Sequence, residues 1–128
     1  MTAKTGFILF AHGARDPLWA RPFEQIAQAM QQAQPHQPLS LAYLEFMHPT
    51  LPQAAEQLVN QGCTHLQILP LFLGAGGHVR RDLPILITEV EQTHQVSVQL
   101  HPAIGESDAV VHAIAQHALA LAQNLSQP

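Results

Sequence analysis

Short apolar runs alternate with amphipathic stretches along the chain, and this alternation predicts strands separated by helices. Two runs are almost continuously apolar, residues 6–12 and 65–73, which is typical of strands buried on both faces. Residues 39–45 and 96–100 instead alternate apolar and polar positions, as strands that are only half buried do. The pattern therefore predicts four strands.

The first two connections have the spacing and the end signals of helices. Apolar residues recur at helical intervals up to about Gln34. Pro17 and Pro22 indicate either that this helix has an irregular start or that Pro22 lies in its first turn. Thr50 and Gln53 have the spacing of a capping box, which predicts the start of a second helix. Gly62 follows the last apolar position of that stretch and is expected to end it.

The other two helices are predicted from the second half of the chain. Asp82 can cap a third helix that runs to about His94, and a fourth helix is expected from about Ser107. We expect the fourth helix to bury one set of apolar residues, namely Val111, Ile114, Ala115, Ala118 and Ala122.

Strands that alternate with helices predict an α/β fold with a parallel sheet covered by helices on both faces. The two apolar strands suit the centre of the sheet and the two alternating strands suit its edges, which gives the order 2-1-3-4 of a flavodoxin-like fold. In such a sheet a ligand crevice opens at the carboxyl ends of the strands, where the winding reverses between strands one and three.

Composition narrows the class of protein. The 128 residues are expected to form one domain over residues 1–128, with a short polar tail from about residue 124. A net charge of −4 and the lack of a basic tail argue against a nucleic-acid binder. The single cysteine, Cys63, excludes an internal disulfide and a cysteine-built zinc site, and we expect it to be a small buried residue. No apolar stretch approaches the roughly 20 residues of a membrane span, so a soluble cytoplasmic protein is expected.

Histidines, a carboxylate and most of the scarce cations follow the predicted strand ends. His48 and His101 follow the second and fourth strands and could reach the rim of the crevice. The chain has only five Lys plus Arg. The residues expected to converge on the crevice from strands one to three are His12, Arg15, Glu45, His78, Arg80 and Arg81.

These residue types suit a divalent metal and an anionic ligand together. Neutral imidazole binds borderline divalent metals, and a carboxylate can complete a three-ligand site with open positions. Arginine pairs with carboxylate or phosphate through two parallel hydrogen bonds. Simpler interpretations remain: each histidine could be a loop residue, Glu45 could form a structural ion pair, and Arg80 and Arg81 could be a solvated helix start.

Three stretches together are similar to a known family. "FAHGARD", "YLEFMHPTLPQA" and "PLFLGAGGHVRRDLP" resemble the sirohydrochlorin chelatases, in particular their short single-domain members. The third stretch is the most specific, because it combines a strand, Gly-x-His and Asp-x-Pro. Ala14 is a departure, since the family usually has serine there.

The resemblance implies a chelatase that inserts a divalent metal (Co²⁺, Fe²⁺ or Ni²⁺) into an acidic tetrapyrrole, sirohydrochlorin, in cobalamin or siroheme biosynthesis. Cobalt is favoured, with iron next, and no organic cofactor is implied. By the same resemblance His12 and His78 bind the metal, and Glu45 assists with metal or proton. Substrate contacts are implied for Arg15, Gly76, Gly77, Arg80 and Arg81. A homodimer is implied as well, with two copies in place of the tandem halves of longer relatives.

Two other functions remain open from the sequence. A non-catalytic metal or tetrapyrrole carrier would bind the same ligands without turnover. A histidine phosphatase-like hydrolase also has His-Gly after its first strand, but Ala11 here stands where such enzymes have arginine.

Overall fold

A computed structural model describes residues 3–74 and 76–126, without the side chains of His78, Leu125 and Ser126. Two 3₁₀ turns, Pro17–Ala20 and Ile104–Glu106, lie among the regular elements. The strands and helices are β1 (Thr5–Ala11), α1 (Arg21–Ala33), β2 (Leu39–Tyr43), α2 (Leu51–Asn60), β3 (His65–Pro70), α3 (Gly77–His94), β4 (Ser97–Leu100) and α4 (Asp108–Ser126).

The strands form one parallel sheet in the order β2-β1-β3-β4, which confirms the predicted α/β fold and winding. In the register of the central pair, Ile8 lies opposite Ile68. The strands β1, β2 and β3 end one, two and three residues earlier than predicted. Their polar successors, His12 and Glu45 among them, therefore lie in loops at the carboxyl edge.

The face of the sheet covered by α2 and α3 holds the main core. Ile8 and Ile68 point to this side and are 0% exposed. The two covering helices contribute buried side chains to the same core, among them Leu58 of α2 and Val90 of α3. Since successive side chains of a strand point to opposite faces, the neighbours of these strand residues point to the α1 side.

The α1 side of the sheet has a smaller core near β2. Its buried members are Ala11, Ala20 and Tyr43. Trp19 and Phe23 stack beside them with ring centroids 4.5 Å apart. This cluster covers the β2 end of the face and leaves the β3 end with half-buried side chains.

The predicted ends of α2 are confirmed. The Thr50 hydroxyl accepts from the backbone N–H of Gln53, and the Gln53 side chain accepts from the backbone N–H of Thr50 at 2.9 Å, which forms the capping box. Gly62 follows with φ +98°, a conformation that glycine adopts without the steric cost of a side chain. Pro22 lies in the first turn of α1, which is the second of the two alternatives for its start.

The predicted start of α3 is wrong by six residues, since the cap is Gly76 and not Asp82. The helix begins at Gly77, with the extended Gly76 before it, and the Arg80 N–H donates to the Gly76 carbonyl at 3.1 Å. Asp82 therefore lies inside the helix. Asp82 followed by Pro84 imitates a cap with proline in the first turn, whereas Pro84 actually lies further along the helix.

The predicted burial of α4 is also wrong. Every residue from Val111 to Asn124 is exposed, Val111 by 51% and Ile114 by 50%. The helix packs on the turn Ile104–Glu106 that precedes it. An apolar pattern indicates that a helix face should be covered, but it does not say which element covers it. Among the described residues, no helix has the length and apolar character needed to cross a membrane.

Candidate functional site at the carboxyl edge of the sheet

Two of the predicted site residues, His12 and Glu45, are joined through their backbones. The Glu45 N–H donates to the His12 carbonyl at 3.1 Å, and the Leu44 N–H donates to the Ala11 carbonyl at 2.9 Å. These bonds extend the β1–β2 ladder past the strand ends. They place the exposed side chains of His12 and Glu45 on neighbouring loops at one edge of the sheet.

Gly13 makes this close approach of the two loops feasible. Its φ is +92°, and a Cβ atom added to it would lie 1.9 Å from the carbonyl oxygen of Glu45. A side chain here would therefore meet both a backbone conformation that disfavours it and a fixed backbone atom. The glycine after His12 is thus required by the geometry that holds His12 beside Glu45.

An aromatic residue that the sequence reasoning missed supports the His12 ring. The rings of His12 and Phe72 meet edge to face with centroids 5.0 Å apart, and Phe72 also contacts Phe10. Phe72 is 5% exposed, so it links the core to the site. The available signal was its position directly after β3, within the most specific of the three quoted stretches.

Arg15 lies against Phe46, a second residue that the sequence reasoning missed. The guanidinium carbon lies 5.0 Å from the ring centroid of Phe46, within cation–π range. Phe46 is 57% exposed and has φ +67°, in the left-handed region. The loop after Glu45 thus presents an aromatic face that positions a cation at the mouth of the crevice.

A groove of about 380 Å³ lies where β3, the start of α3 and the segment after β4 meet. Arg80, predicted as a substrate contact, lines it together with His101. Phe72, Gly74 and Glu106 line it as well, and Glu106 was not among the predicted residues. The groove therefore combines an apolar floor with cationic, imidazole and carboxylate groups.

The remaining predicted residues of the third stretch lie at the N-terminus of α3. Gly76 precedes the helix, Gly77 begins it, and Arg81 is exposed in its second turn. A Cβ atom at Gly76 or Gly77 would meet nothing within 4 Å, so neither glycine is required by a close contact within the described residues.

His78 belongs to the first turn of α3, and its side chain lies outside the described part of the structure. Among the described side chains, no three of the His, Cys, Asp or Glu type form a group that could hold a metal. That statement does not cover the predicted ligand set of His12, Glu45 and His78, because the side chain of His78 is not among the described ones. This ligand set stays a prediction.

Three other histidines have defined partners. His48 Nδ1 lies 3.0 Å from the Gln53 side-chain oxygen, at the start of α2. His101 Nε2 lies 3.0 Å from the Gln67 side-chain oxygen. His65, at the opposite edge as predicted, contacts the hydroxyl of Ser97. His48 thus lies beside the start of α2 and His101 directly after β4, whereas His65 lies at the opposite edge of the sheet.

Two buried groups outside the crevice have raised pKa values. Burial, and secondly the charge of Glu24, raise the pKa of the Tyr43 phenol on the α1 side. Burial raises the pKa of the Cys63 thiol, which lies 2% exposed beside the α2 core, while Lys4 lowers it by a smaller amount. Cys63 is thus the buried residue that its lone occurrence predicted.

Comparison with known proteins places this chain in a family. The CbiX family matches residues 6–120. The sirohydrochlorin cobaltochelatase of Methanocaldococcus jannaschii is 30% identical over 88 residues, which is 69% of this chain and 62% of that protein. That of Sulfurisphaera tokodaii is 25% identical over 105 residues, 82% of this chain and 83% of that protein. The match thus spans less than two thirds of the archaeal relative from Methanocaldococcus.

Solved structures agree with this placement. A putative cobalamin biosynthesis CbiX protein from Marinobacter aquaeolei VT8 has a TM-score of 0.85 and 30% identity, over 94% of this chain and 98% of that chain. SirB from Bacillus subtilis with Fe³⁺ shares the fold, with a TM-score of 0.79 and 22% identity over 98% of this chain and 48% of that chain. The resemblance to the sirohydrochlorin chelatases is confirmed, and the chain belongs to the CbiX family.

Proposed function

We propose that the protein is a chelatase that inserts a divalent metal into sirohydrochlorin. The observation that carries this proposal is the pair of backbone hydrogen bonds that sets His12 beside Glu45 at the carboxyl edge of the sheet. The names of the M. jannaschii and S. tokodaii relatives support the same reaction.

In this mechanism the metal is a substrate, held by His12 and His78 with positions left open. Two imidazoles and one carboxylate suit a site that must release its ion, whereas a closed thiolate cage would retain it. Insertion exchanges one divalent cation for the two N–H protons of the macrocycle. The two protons pass, directly or through water, to Glu45 and to a histidine of the site as the ring nitrogens bind the metal.

The arginines hold the acidic rim of the tetrapyrrole. Arg80 lines the groove, and Arg15 is positioned over Phe46 at the mouth of the crevice. Each guanidinium can pair with a substrate carboxylate through two hydrogen bonds. With a net charge of −4, the protein repels such a ligand at long range, so these local cations are expected to determine where it docks.

The proposed metal is cobalt, with iron next and nickel third. Imidazole and carboxylate ligands bind all three, and the affinity order among them is general rather than selective. The relatives named above are cobaltochelatases, while SirB structures carry Fe³⁺ or cobalt. We expect anaerobic insertion assays with the three ions side by side to give the highest kcat/KM with Co²⁺.

The residue roles are tested by His12→Ala, Glu45→Gln and His78→Ala. Each variant is expected to lower kcat/KM for insertion by about 100-fold, the usual effect of losing a proton-transfer or ligand group. His65→Ala at the opposite edge of the sheet is the matched control and should retain the parental rate. Insertion by His78→Ala at the parental rate would show that the assigned metal site is wrong.

The assay also separates an enzyme from a carrier. An enzyme converts many equivalents of sirohydrochlorin per chain, whereas a carrier stops at one bound equivalent. Hydrolysis of a phosphate ester would instead favour the phosphatase interpretation.

A homodimer is part of the proposal. The helix α4 supports the homodimer, because its apolar side chains are exposed in the single chain and an apolar helix surface is normally buried against protein.

A further inference from the structure

Metal insertion releases two protons, and the predicted ligand set has a clear acceptor for only one of them. The carboxylate oxygens of Glu45 can take up one proton. A neutral imidazole that binds a metal through one nitrogen carries its only proton on the other nitrogen. His12 and His78 therefore have no lone pair left while they hold the ion. The second acceptor is expected to be a group outside the ligand set.

The loop between β2 and α2 carries a further histidine close to Glu45. The Tyr43 N–H donates to the Pro49 carbonyl at 2.9 Å, which closes residues 44–49 into one loop at the carboxyl end of β2. The side chains of Glu45 and His48 are both exposed in this loop. Their Cα atoms lie at most about 11 Å apart, the span of three fully extended residues. Two side chains and a bridging water can cover that distance.

The hydrogen bonds around His48 determine which of its ring nitrogens carries the proton. Gln53 Oε1 accepts from the Thr50 N–H at 2.9 Å, and because a backbone N–H can only donate, the amide atom at this position must be the oxygen. His48 Nδ1 lies 3.0 Å from the same oxygen. Since an amide oxygen can only accept, Nδ1 carries the N–H, and in the neutral ring the lone pair lies on Nε2.

The Nε2 atom of His48 is available to accept a proton. It makes no hydrogen bond within the part of the chain that the structure describes, and the side chain is exposed. When Nε2 takes up a proton, Nδ1 still donates to Gln53, and this hydrogen bond becomes charge-assisted, which stabilises the cation. His101 Nε2 also lies 3.0 Å from a glutamine oxygen, that of Gln67, but no second donor among the described residues fixes that amide.

We propose that His48 accepts the second proton of metal insertion at Nε2, directly or through water. The proposal rests on the chelatase function proposed above. Two N–H bonds of the macrocycle break, and the electron pairs of the two nitrogens form bonds to the divalent ion without a change in oxidation state. One proton goes to a carboxylate oxygen of Glu45 and the other to His48 Nε2. Both groups then release their protons to water.

The variant His48→Ala tests the imidazole. Loss of a proton acceptor should lower kcat by about 100-fold. The KM values for metal and for sirohydrochlorin should stay at the parental values, because no ligand of either is removed. Free imidazole, added at saturating metal, should restore part of the lost kcat. His36→Ala, exposed in the loop before β2 at the opposite edge of the sheet, is the matched control and should keep the parental kcat with and without imidazole.

Three results of this experiment would overturn the role of His48. The first is a parental kcat in His48→Ala. The second is a loss of activity that appears as a higher KM for the metal, since that is the mark of a metal ligand. The third is a loss of kcat that added imidazole does not relieve.

Gln53 acts only through His48 and is therefore a positioning residue. Gln53→Glu keeps an oxygen that accepts from both N–H groups, so kcat should stay near the parental value. Gln53→Met has no such acceptor and should lower kcat by about 10-fold. Thr50→Ala is the control, because it weakens the same capping box and leaves the Thr50 N–H and the Gln53 oxygen in place. Equal kcat values in Gln53→Met and Thr50→Ala would contradict the positioning of His48.

The two proposals fail separately. A parent protein without insertion activity contradicts the chelatase function itself. A parent that inserts metal, together with a His48→Ala variant of the same kcat, leaves that function intact and contradicts only the role of His48.

Discussion

The two faces of the sheet differ at adjacent residues of the same strand. Ile68 of β3 points to the α2–α3 side and is 0% exposed, whereas Leu69 points to the α1 side and is half buried at an open groove. Both are aliphatic residues of the same volume class in a central strand. The difference between them is therefore set by which helices cover each face.

This difference separates the part of the molecule that stabilises the chain from the part that we propose binds metal and substrate. The α2–α3 face buries a continuous apolar core and holds β1 and β3 in register. The loops at their carboxyl ends can then carry exposed polar groups such as His12 without contributing to that core. The α1 face has a buried core only at its β2 end and keeps half-buried side chains at an open groove towards β4.

The largest expected effect comes from truncating the two neighbours, Ile68→Ala and Leu69→Ala. Ile68→Ala should lower the free energy of unfolding by about 2–5 kcal/mol, because it leaves a cavity in a closed core. Leu69→Ala should cost about 1 kcal/mol in dilute solution, because the side chain is only partly removed from water. Urea unfolding followed by circular dichroism measures both values.

The stability costs of Ile68→Ala and Leu69→Ala can also be compared at different protein concentrations. If the second copy of the proposed homodimer covers Leu69, the cost of Leu69→Ala should grow with concentration as the dimer forms, while that of Ile68→Ala should not. Equal costs at low concentration would contradict the difference between the faces.

The next largest effect on the free energy of unfolding is expected at two glycines with positive φ. Gly13 lies at the candidate site, and Gly62 lies away from it after α2. Gly62→Ala should cost about 1–2 kcal/mol for the left-handed backbone alone, because the nearest atom to the added Cβ is a flexible Lys4 carbon at 3.8 Å. Gly13→Ala should cost about 1 kcal/mol more, because the Glu45 carbonyl must move and backbone distortion is added.

Activity distinguishes the two glycine variants further. Gly13→Ala should lower metal insertion because it separates His12 from Glu45, while Gly62→Ala should insert metal at the parental rate. Equal stability and equal insertion in the two variants would mean that the approach of the two loops does not matter.

A smaller effect on the free energy of unfolding is expected at the capping box that starts α2, on the face of the sheet covered by α2 and α3. Thr50→Ala removes the hydroxyl that accepts from the Gln53 N–H and should cost about 1 kcal/mol. Thr88→Ala is the control, since Thr88 is exposed and its hydroxyl bonds the Pro84 carbonyl within α3. Thermal unfolding should separate the two variants by a few degrees, and an equal Tm would contradict the role of the cap.

The hydrophobic periodicity was sufficient to predict the order of strands in the sheet, because burial on one or both faces determines which positions of a strand are apolar. The continuous apolar run around Ile68 and the alternation in β2 predicted their central and edge positions, and capping chemistry predicted the start of α2 at Thr50. Asp82 gave the wrong start for α3, because a capping signal is a local pattern of residues. Such a pattern can also occur inside a helix that has already begun, here at Gly77. The burial of α4 could not be predicted, because its apolar pattern is the same whichever chain covers it.

The site could be predicted as a set of residue types at strand ends, but not in its supporting contacts. His12 and Glu45 follow neighbouring strands, so topology alone brings them together. Phe72 and Phe46 support the imidazole and a guanidinium through ring contacts that depend on loop conformation. Sequence spacing carries little information on such contacts, since they depend on φ values like the +67° of Phe46.

The smallest expected effect is a difference between the faces at alkaline pH. The pKa values of Cys63 and Tyr43 are both raised above their ordinary values of 9.0 and 10.0. A group whose pKa is higher in the folded state stabilises the fold fully below its unfolded pKa and loses this contribution as the pH rises through the folded value. Stability should therefore begin to fall near pH 9 through Cys63 on the α2 side and further above pH 10 through Tyr43 on the α1 side.

Urea unfolding from pH 8 to 11 should give a shallower decline above pH 10 for Tyr43→Phe and a later onset for Cys63→Ala. If both variants follow the parental profile, the alkaline loss arises elsewhere, and the two faces do not differ in this respect.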